Sequence, residues 1–206
     1  MNASFSALSS EAARGLRGRL LCDEPLAART SLLVGGPADY FFVPSDREDL
    51  GMFLAMLPAH VPVLWVGLGS NLLVRDGGYR GAVICTHQGL GHASPSGSSG
   101  YFAEAGVPCA KVARYSAQMG RCGAEFLSGI PGTIGGALAM NAGAYGHDIW
   151  SIVKKVELID RQGQLYESTR DAFKIDYRSV VGHGDCWFLN ATFDLIPGNK
   201  EEAQGA

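Results

Sequence analysis

Glycine constrains this chain more than any other residue type. It fills 28 of 206 positions, where ordinary usage of about 7% would give roughly 14. A glycine inside a helix or strand is about 0.5–1 kcal/mol worse than alanine. Fourteen surplus glycines in such places would remove roughly 7–14 kcal/mol, comparable to the whole stability of a domain. The surplus therefore belongs mostly in turns and loops, where the backbone needs positive φ or must come close to something else. Where it clusters is the first question about function.

The remaining composition removes several classes. Hydrophobic residues make up 47% and charged residues 18%, a globular balance. The length fits one or two domains at roughly 150 residues each. A net charge of −3 supplies no general field for nucleic acid. No apolar run reaches the ~18–20 residues of a membrane span, and the first twenty residues lack the pattern of a secretory signal. Cys22, Cys85, Cys109, Cys122 and Cys186 form no C-x-x-C pair, which speaks against zinc or a disulfide framework and for a reducing cytoplasm. The five histidines show no metal-ligand spacing.

Periodicity predicts a helix over 8–20 with Ser9 or Ser10 as cap, a strand at 38–43, and a helix opened by Ser45 or Asp46 and ended by Pro58. Strands follow at 62–66, 72–74 and 81–86. The stretch 92–100 (HASPSGSSG) reads as a flexible surface loop and marks a boundary just before it. Beyond it come a strand at 101–105, a helix from Pro108 to Met119, a hairpin of 156–160 with 165–169, and a strand at 186–195. This alternation is α+β rather than a regular βαβ array. The expected division is an N-terminal helical segment (1–20), one subdomain at 21–88, a second at 89–198, and a polar tail at 199–206.

Two glycine clusters carry the chemistry. One is Gly67-Leu68-Gly69-Ser70-Asn71; the other is Gly129-Ile130-Pro131-Gly132-Thr133-Ile134-Gly135-Gly136. Successive backbone N–H groups in such loops can converge on phosphate oxygens, and Ser70, Asn71 and Thr133 add side-chain donors. Two such cradles suit a diphosphate. Neither cluster is a G-x-G-x-x-G fingerprint or a P-loop, and taken singly each could be no more than a tight turn after a strand.

The segments VGLGSNLLVRDGGYRGAVI (66–84), GIPGTIGGALAMNAGAYG (129–146) and YRS (177–179), with TSLLVGGPADYFFVPSDREDL (30–50), resemble the bacterial UDP-N-acetylenolpyruvoylglucosamine reductases, also called UDP-N-acetylmuramate dehydrogenases. The resemblance runs from about residue 20 to 198. It implies a two-subdomain FAD-binding fold of the vanillyl-alcohol-oxidase (PCMH) type, with FAD between the subdomains and NADPH as hydride donor. It places Gly67, Gly69, Ser70 and Asn71 at the pyrophosphate, and Gly132, Thr133, Gly135 and Gly136 against FAD. Asn141, Ala142 and Gly143 fall near the flavin. The implied substrate is a UDP-sugar enolpyruvate, in a cytoplasmic bacterial pathway to peptidoglycan, with no nucleic-acid or membrane partner. Arg178 is the implied catalytic cation on the substrate carboxylate, and Tyr177 helps form the substrate site.

The family pattern is also incomplete here. It continues into a substrate-binding domain that supplies a proton-donating serine and a late glutamate. No serine follows Ser179, and Glu201 and Glu202 lie in the polar tail. Leu33 stands where many relatives carry a basic residue. The expectation is a chain that holds FAD and needs further residues for turnover. A non-catalytic FAD module and a flavin oxidase of the same superfamily are the alternatives. No histidine occurs in 66–84 to tether a flavin, which disfavours the oxidase.

Overall fold

The computed structural model describes residues 14–198. These form two compact units, one running up to Leu90 and including Arg161–Gln164, the other spanning Gly91–Asp160 and continuing from Leu165.

The first unit is built on a four-stranded sheet. Strands β1 (Arg19–Pro25), β2 (Pro37–Val43), β3 (Val63–Val66) and β4 (Tyr79–Cys85) lie in the order β1-β2-β4-β3. β1 runs antiparallel to β2, while β2 and β3 both run parallel to β4. Between β2 and β3 sits helix α1 (Arg47–Met56), started by Asp46, whose carboxylate accepts from Asp49 N. Its buried residues Asp49, Leu50, Phe53 and Leu54 follow the one-face spacing of an amphipathic helix, and Phe53 stacks on Phe42 of β2 at 4.2 Å. The buried Asp49 carboxylate is satisfied by backbone N–H groups of Arg17, Gly18 and Ser45 at 2.8–2.9 Å. Those charge-assisted bonds offset its removal from water. Arg161 donates to the carbonyls of Pro58 and Val61 at 2.7 and 2.6 Å, so the tip 161–164 packs with this unit although its flanking strands do not.

The second unit carries a five-stranded antiparallel sheet. Its strands are β5 (Ala93–Ser96), β6 (Gly100–Glu104), β10 (Val153–Ile159), β11 (Leu165–Thr169) and β14 (Trp187–Asp194), ordered β11-β10-β14-β6-β5. Between β6 and β10 lie helix α2 (Cys109–Gln118), the two-residue β7 (Arg121–Cys122), helix α3 (Ile134–Ala139), and the small hairpin β8 (Gly143–Ala144) with β9 (His147–Asp148). A second hairpin pairs β12 (Lys174–Asp176) with β13 (Ser179–Val181), and β15 (Ile196–Pro197) pairs with β7. The core gathers Val112, Leu127, Ile134, Leu138, Trp150, Phe188 and Phe193 among others.

Three expectations are corrected, and one helix stands where the sequence carried no prediction. Residues 8–13 of the expected first helix, with its caps Ser9 and Ser10, lie outside the described residues. The rest of that segment is a turn followed by β1, which finds backbone partners in β2. Residues 72–74 are not a strand. The loop expected at 92–100 is largely a hairpin, with Pro95 in the sheet's edge strand, where its missing N–H is tolerated. Finally, the densest glycine cluster contains a helix, α3, that the glycine content concealed.

Candidate functional site

The first glycine segment is held by another stretch of its own chain. Gly67 and Leu68 bend the chain out of β3, and Ser70 and Asn71 form an exposed turn. Gly69 adopts φ +67°, and a Cβ there would lie 2.1 Å from the carbonyl oxygen of Arg29. Ser31 N donates to Gly69 O at 3.1 Å, and Gly36 N to Arg75 O at 3.0 Å. At Gly78 a Cβ would sit 1.9 Å from Pro37 O. Segments 29–37 and 69–78 therefore interlock by backbone contact, and glycine is required for that reason alone. Gly77, between them, faces open space.

The second segment is organised differently. A 3₁₀ turn, Glu125–Gly129, leads into it, started by Glu125, whose carboxylate accepts from Gly123 N at 2.7 Å. Pro131 and Gly132 then lead to Thr133, which precedes α3 and is only 3% exposed. Its hydroxyl is not openly displayed. The N–H groups of Ile134 and Gly135 donate to Val107 O and Ala105 O, both at 2.9 Å. A Cβ on Gly135 would press within 2.8 Å of Ala105 Cβ. Gly135 thus serves helix packing. Gly136, one residue on, is exposed and would meet nothing within 4 Å.

After α3 the chain turns sharply. Ala142 N donates to Ala137 O at 2.9 Å, closing the helix end. Asn141 takes φ +40°, a conformation that asparagine tolerates better than most side chains. The β8–β9 hairpin then turns through Tyr145 and Gly146, at φ +53° and +82°, the positive pair that a type I′ turn requires. The Tyr145 ring lies over Gly129, where a Cβ would come within 2.6 Å of it.

Tyr177 and Arg178 form the two-residue turn between β12 and β13, with Arg178 at φ +51°. Tyr177 is 84% exposed, and the Arg178 guanidinium lies 5.8 Å from its ring centroid. Among the described residues Arg178 pairs with no carboxylate. Asn141 Nδ2 donates to Asp176 O at 3.2 Å, so the glycine motif and the Tyr-Arg turn are bonded to each other. Below them, Trp150, fully buried, donates from Nε1 to Leu138 O at 2.9 Å. Its ring also packs against Phe173, just before β12, at 4.9 Å. Among the described residues, three of the five non-glycine positive-φ positions, Asn141, Tyr145 and Arg178, belong to this cluster. Such strain persists only where surrounding structure enforces it and gathers at functional sites.

Sequence reasoning did not single out Trp150, Tyr145 or Asp176. The Tyr145-Gly146 pair carries a recognisable turn signal; a lone tryptophan carries none. Cys109, beside the motif through its N–H bond to Gly132 O at 3.0 Å, is no nucleophile. Burial pushes its thiol up to about 12, and it stays neutral. Among the described residues no group of three or more His, Cys, Asp or Glu could hold a metal. The donor set does fit a flavin dinucleotide. Within the second unit backbone lies open at Gly136 and Gly146, and among the described residues Arg178 pairs with no carboxylate and the buried Asn141 Oδ1 has no donor.

The architecture is that of the FAD-binding proteins of the vanillyl-alcohol-oxidase type. A profile of the family described as "FAD binding domain" matches residues 38–169, and the chain belongs to that family. It is similar to the UDP-N-acetylenolpyruvoylglucosamine reductase of Methylococcus capsulatus, 49% identical over 183 residues, covering 89% of this chain and 60% of the relative. The reductase of Legionella pneumophila (strain Corby) is 45% identical over 198 residues, covering 96% and 64%. The chain thus spans somewhat over three-fifths of these relatives' length. Among solved structures, the UDP-N-acetylenolpyruvylglucosamine reductase (MurB) of Thermus caldophilus superposes with TM-score 0.75 at 26% identity, covering 92% of this chain and 66% of that one. A glucose oxidase variant of Phl p 4, at 15% identity and TM-score 0.62, shares the fold. No helix among the described residues is long and apolar enough to cross a membrane.

Proposed function

We propose that this chain is the FAD-holding part of a UDP-N-acetylenolpyruvoylglucosamine reductase, which reduces a UDP-sugar enolpyruvate to UDP-N-acetylmuramate with NADPH in the bacterial cytoplasm. The observation that carries the reading is the bond from Asn141 to the carbonyl of Asp176. It joins the glycine motif expected at the flavin to the Tyr177–Arg178 turn expected at the substrate.

When bound, FAD supplies hydride transfer between the nicotinamide and the enolpyruvyl group. The chain's own residues bind and orient. Gly67, Gly69, Ser70 and Asn71 border the diphosphate, with the Gly77 turn next to them. Gly132, Thr133, Gly135, Gly136, Ala142 and Gly143 contact FAD from the second unit, with Thr133 and Gly135 shaping the backbone and Gly136 leaving room for close approach. Arg178 acts on the substrate. Hydride addition to the enolpyruvyl carbon leaves an enolate of the carboxylate, and charge grows on its oxygens. An always-charged guanidinium on an exposed turn meets that charge bidentately and stabilises the transition state more than the ground state. Tyr177 lies beside that guanidinium and borders the same substrate.

The proton that completes the reduction is assigned to a serine of the further substrate domain. A second reading is an FAD-binding module without turnover of its own, resting on the FAD-binding-domain match over residues 38–169. One preparation tests both. The purified chain should carry a yellow chromophore with the absorbance of oxidised flavin and should not reduce the enolpyruvate on its own. A colourless protein that takes up no added FAD would refute the cofactor assignment. Normal turnover by these 206 residues would refute the division of labour.

A further inference from the structure

We propose that Asn141 is a positioning residue that couples occupancy of the glycine-rich site to the setting of the Tyr177–Arg178 turn. The inference rests on the FAD reading above and adds to it a specific link inside the second unit.

The argument starts from the amide. Asn141 Nδ2 donates to Asp176 O. That bond fixes which way the carboxamide points, because the reverse orientation would set oxygen against oxygen. Oδ1 must then face the other way. There it is buried and has no partner among the described residues. An acceptor shut away from water without a donor is unfavourable, and so is the left-handed backbone at φ +40° that holds it there. Two strained features in one residue are retained where a ligand relieves one of them. The residue sits two positions past Ala139, the last residue of α3, on the motif expected to border the flavin.

The two ends of the carboxamide therefore have different duties. Oδ1 accepts from an N–H or O–H of bound FAD. Nδ2 holds the carbonyl of the residue immediately before Tyr177 and Arg178. Asp176 pairs with Ser179 across the turn, so this carbonyl fixes the base on which the Arg178 guanidinium stands. Ligand binding at one end immobilises the amide, and an immobilised amide fixes the turn. By linkage, fixing the turn also favours the ligand.

The 206-residue chain and two variants test this. Asn141→Gly keeps the backbone conformation, which glycine adopts without strain, and removes both ends of the clasp. Asn141→Asp keeps an acceptor and removes the donor. FAD affinity is read by fluorescence titration, and amide hydrogen exchange over 174–181 is read with and without FAD. In the unsubstituted protein FAD should slow exchange in this hairpin. In Asn141→Gly, FAD affinity should fall about ten-fold and hairpin exchange should become indifferent to FAD. In Asn141→Asp the hairpin should exchange faster than normal even without FAD. FAD uptake with an unchanged affinity and an unchanged hairpin response in Asn141→Gly overturns the coupling alone. Failure of the unsubstituted chain to take up FAD overturns the cofactor reading and this one with it.

Discussion

The two glycine segments look alike in sequence but differ in what surrounds their glycines. In the first, around 67–78, the glycines at 69 and 78 are demanded by the protein itself. A neighbouring strand of backbone passes so close that a Cβ at either would overlap the Arg29 or Pro37 carbonyl oxygen. In the second, around 129–146, Gly129, Gly135 and Gly143 play that role against Tyr145, Ala105 and the His147 carbonyl, while Gly136 and Gly146, like Gly77 in the first, face open space. There the left-handed positions also fall on residues with chemistry in their side chains, Asn141 and Tyr145, and Arg178 in the turn bonded to Asn141 is left-handed too. A glycine that meets protein is explained by folding. A glycine that meets nothing, beside strained polar residues, is what a ligand would use.

That contrast can be broken most forcefully at Gly69. Alanine there would combine a left-handed φ with a Cβ 2.1 Å from Arg29 O. We expect a loss of roughly 3–5 kcal/mol, strain and overpacking together, read as a lowered denaturation midpoint in apo protein. A variant as stable as the parent would show that the interlock of 29–37 with 69–78 is not obligatory. At the other pole, Arg178→Ala should leave stability and FAD binding nearly unchanged. Measured in the complete reductase, it should remove about 3 kcal/mol of transition-state stabilisation, a factor on the order of 10² in kcat. Unaltered turnover would remove Arg178 from the chemistry.

Much of this was legible in sequence where one local rule decides. Helix α1 follows from Asp46 and the spacing of Leu50, Phe53 and Leu54. The hairpin of β10 and β11 follows from alternation around a Gly163 turn. What was illegible depends on partners distant in sequence. Helix α3 is masked by two glycines and is held by Ala105, Val107 and Trp150. Residues 92–100 look flexible by composition but find a strand partner in β6. For the site, motif resemblance pointed to Asn141 and Arg178 separately. Only the fold shows them joined through Asp176, because the bonded groups are 35 positions apart in sequence.

Trp150 gives a middle-sized test of the same comparison. Its indole N–H satisfies the Leu138 carbonyl at the end of α3, and its ring supports Phe173 at the foot of the β12–β13 hairpin. Trp150→Phe keeps most of the ring and removes the donor. Leu138 O then keeps the longer bond from Asn141 N at 3.4 Å, and loss of the indole bond should lower stability by about 0.5–1.5 kcal/mol. Because Trp150 lies under the second segment only, amide exchange should quicken in 134–142 and 174–181 and stay unchanged in 67–78. Uniform quickening across both segments would mean that Trp150 is general core rather than the floor of this site.

The smallest stability change is the most discriminating. Gly136 lies in helix α3, exposed, with nothing within 4 Å of a Cβ. For folding alone, alanine is the better residue there, and Gly136→Ala should raise stability by about 0.5–1 kcal/mol. A flavin dinucleotide approaching that stretch of backbone would instead meet the new methyl group. The variant should therefore melt higher without FAD, bind FAD more weakly, and gain less from saturating FAD than the parent does, since ligand stabilisation scales with affinity. A gain in both stability and affinity would show that the open face of α3 is ordinary surface. Opposite signs in the two measurements would show that the glycine is kept for the ligand at the expense of the fold, the reverse of the case at Gly69.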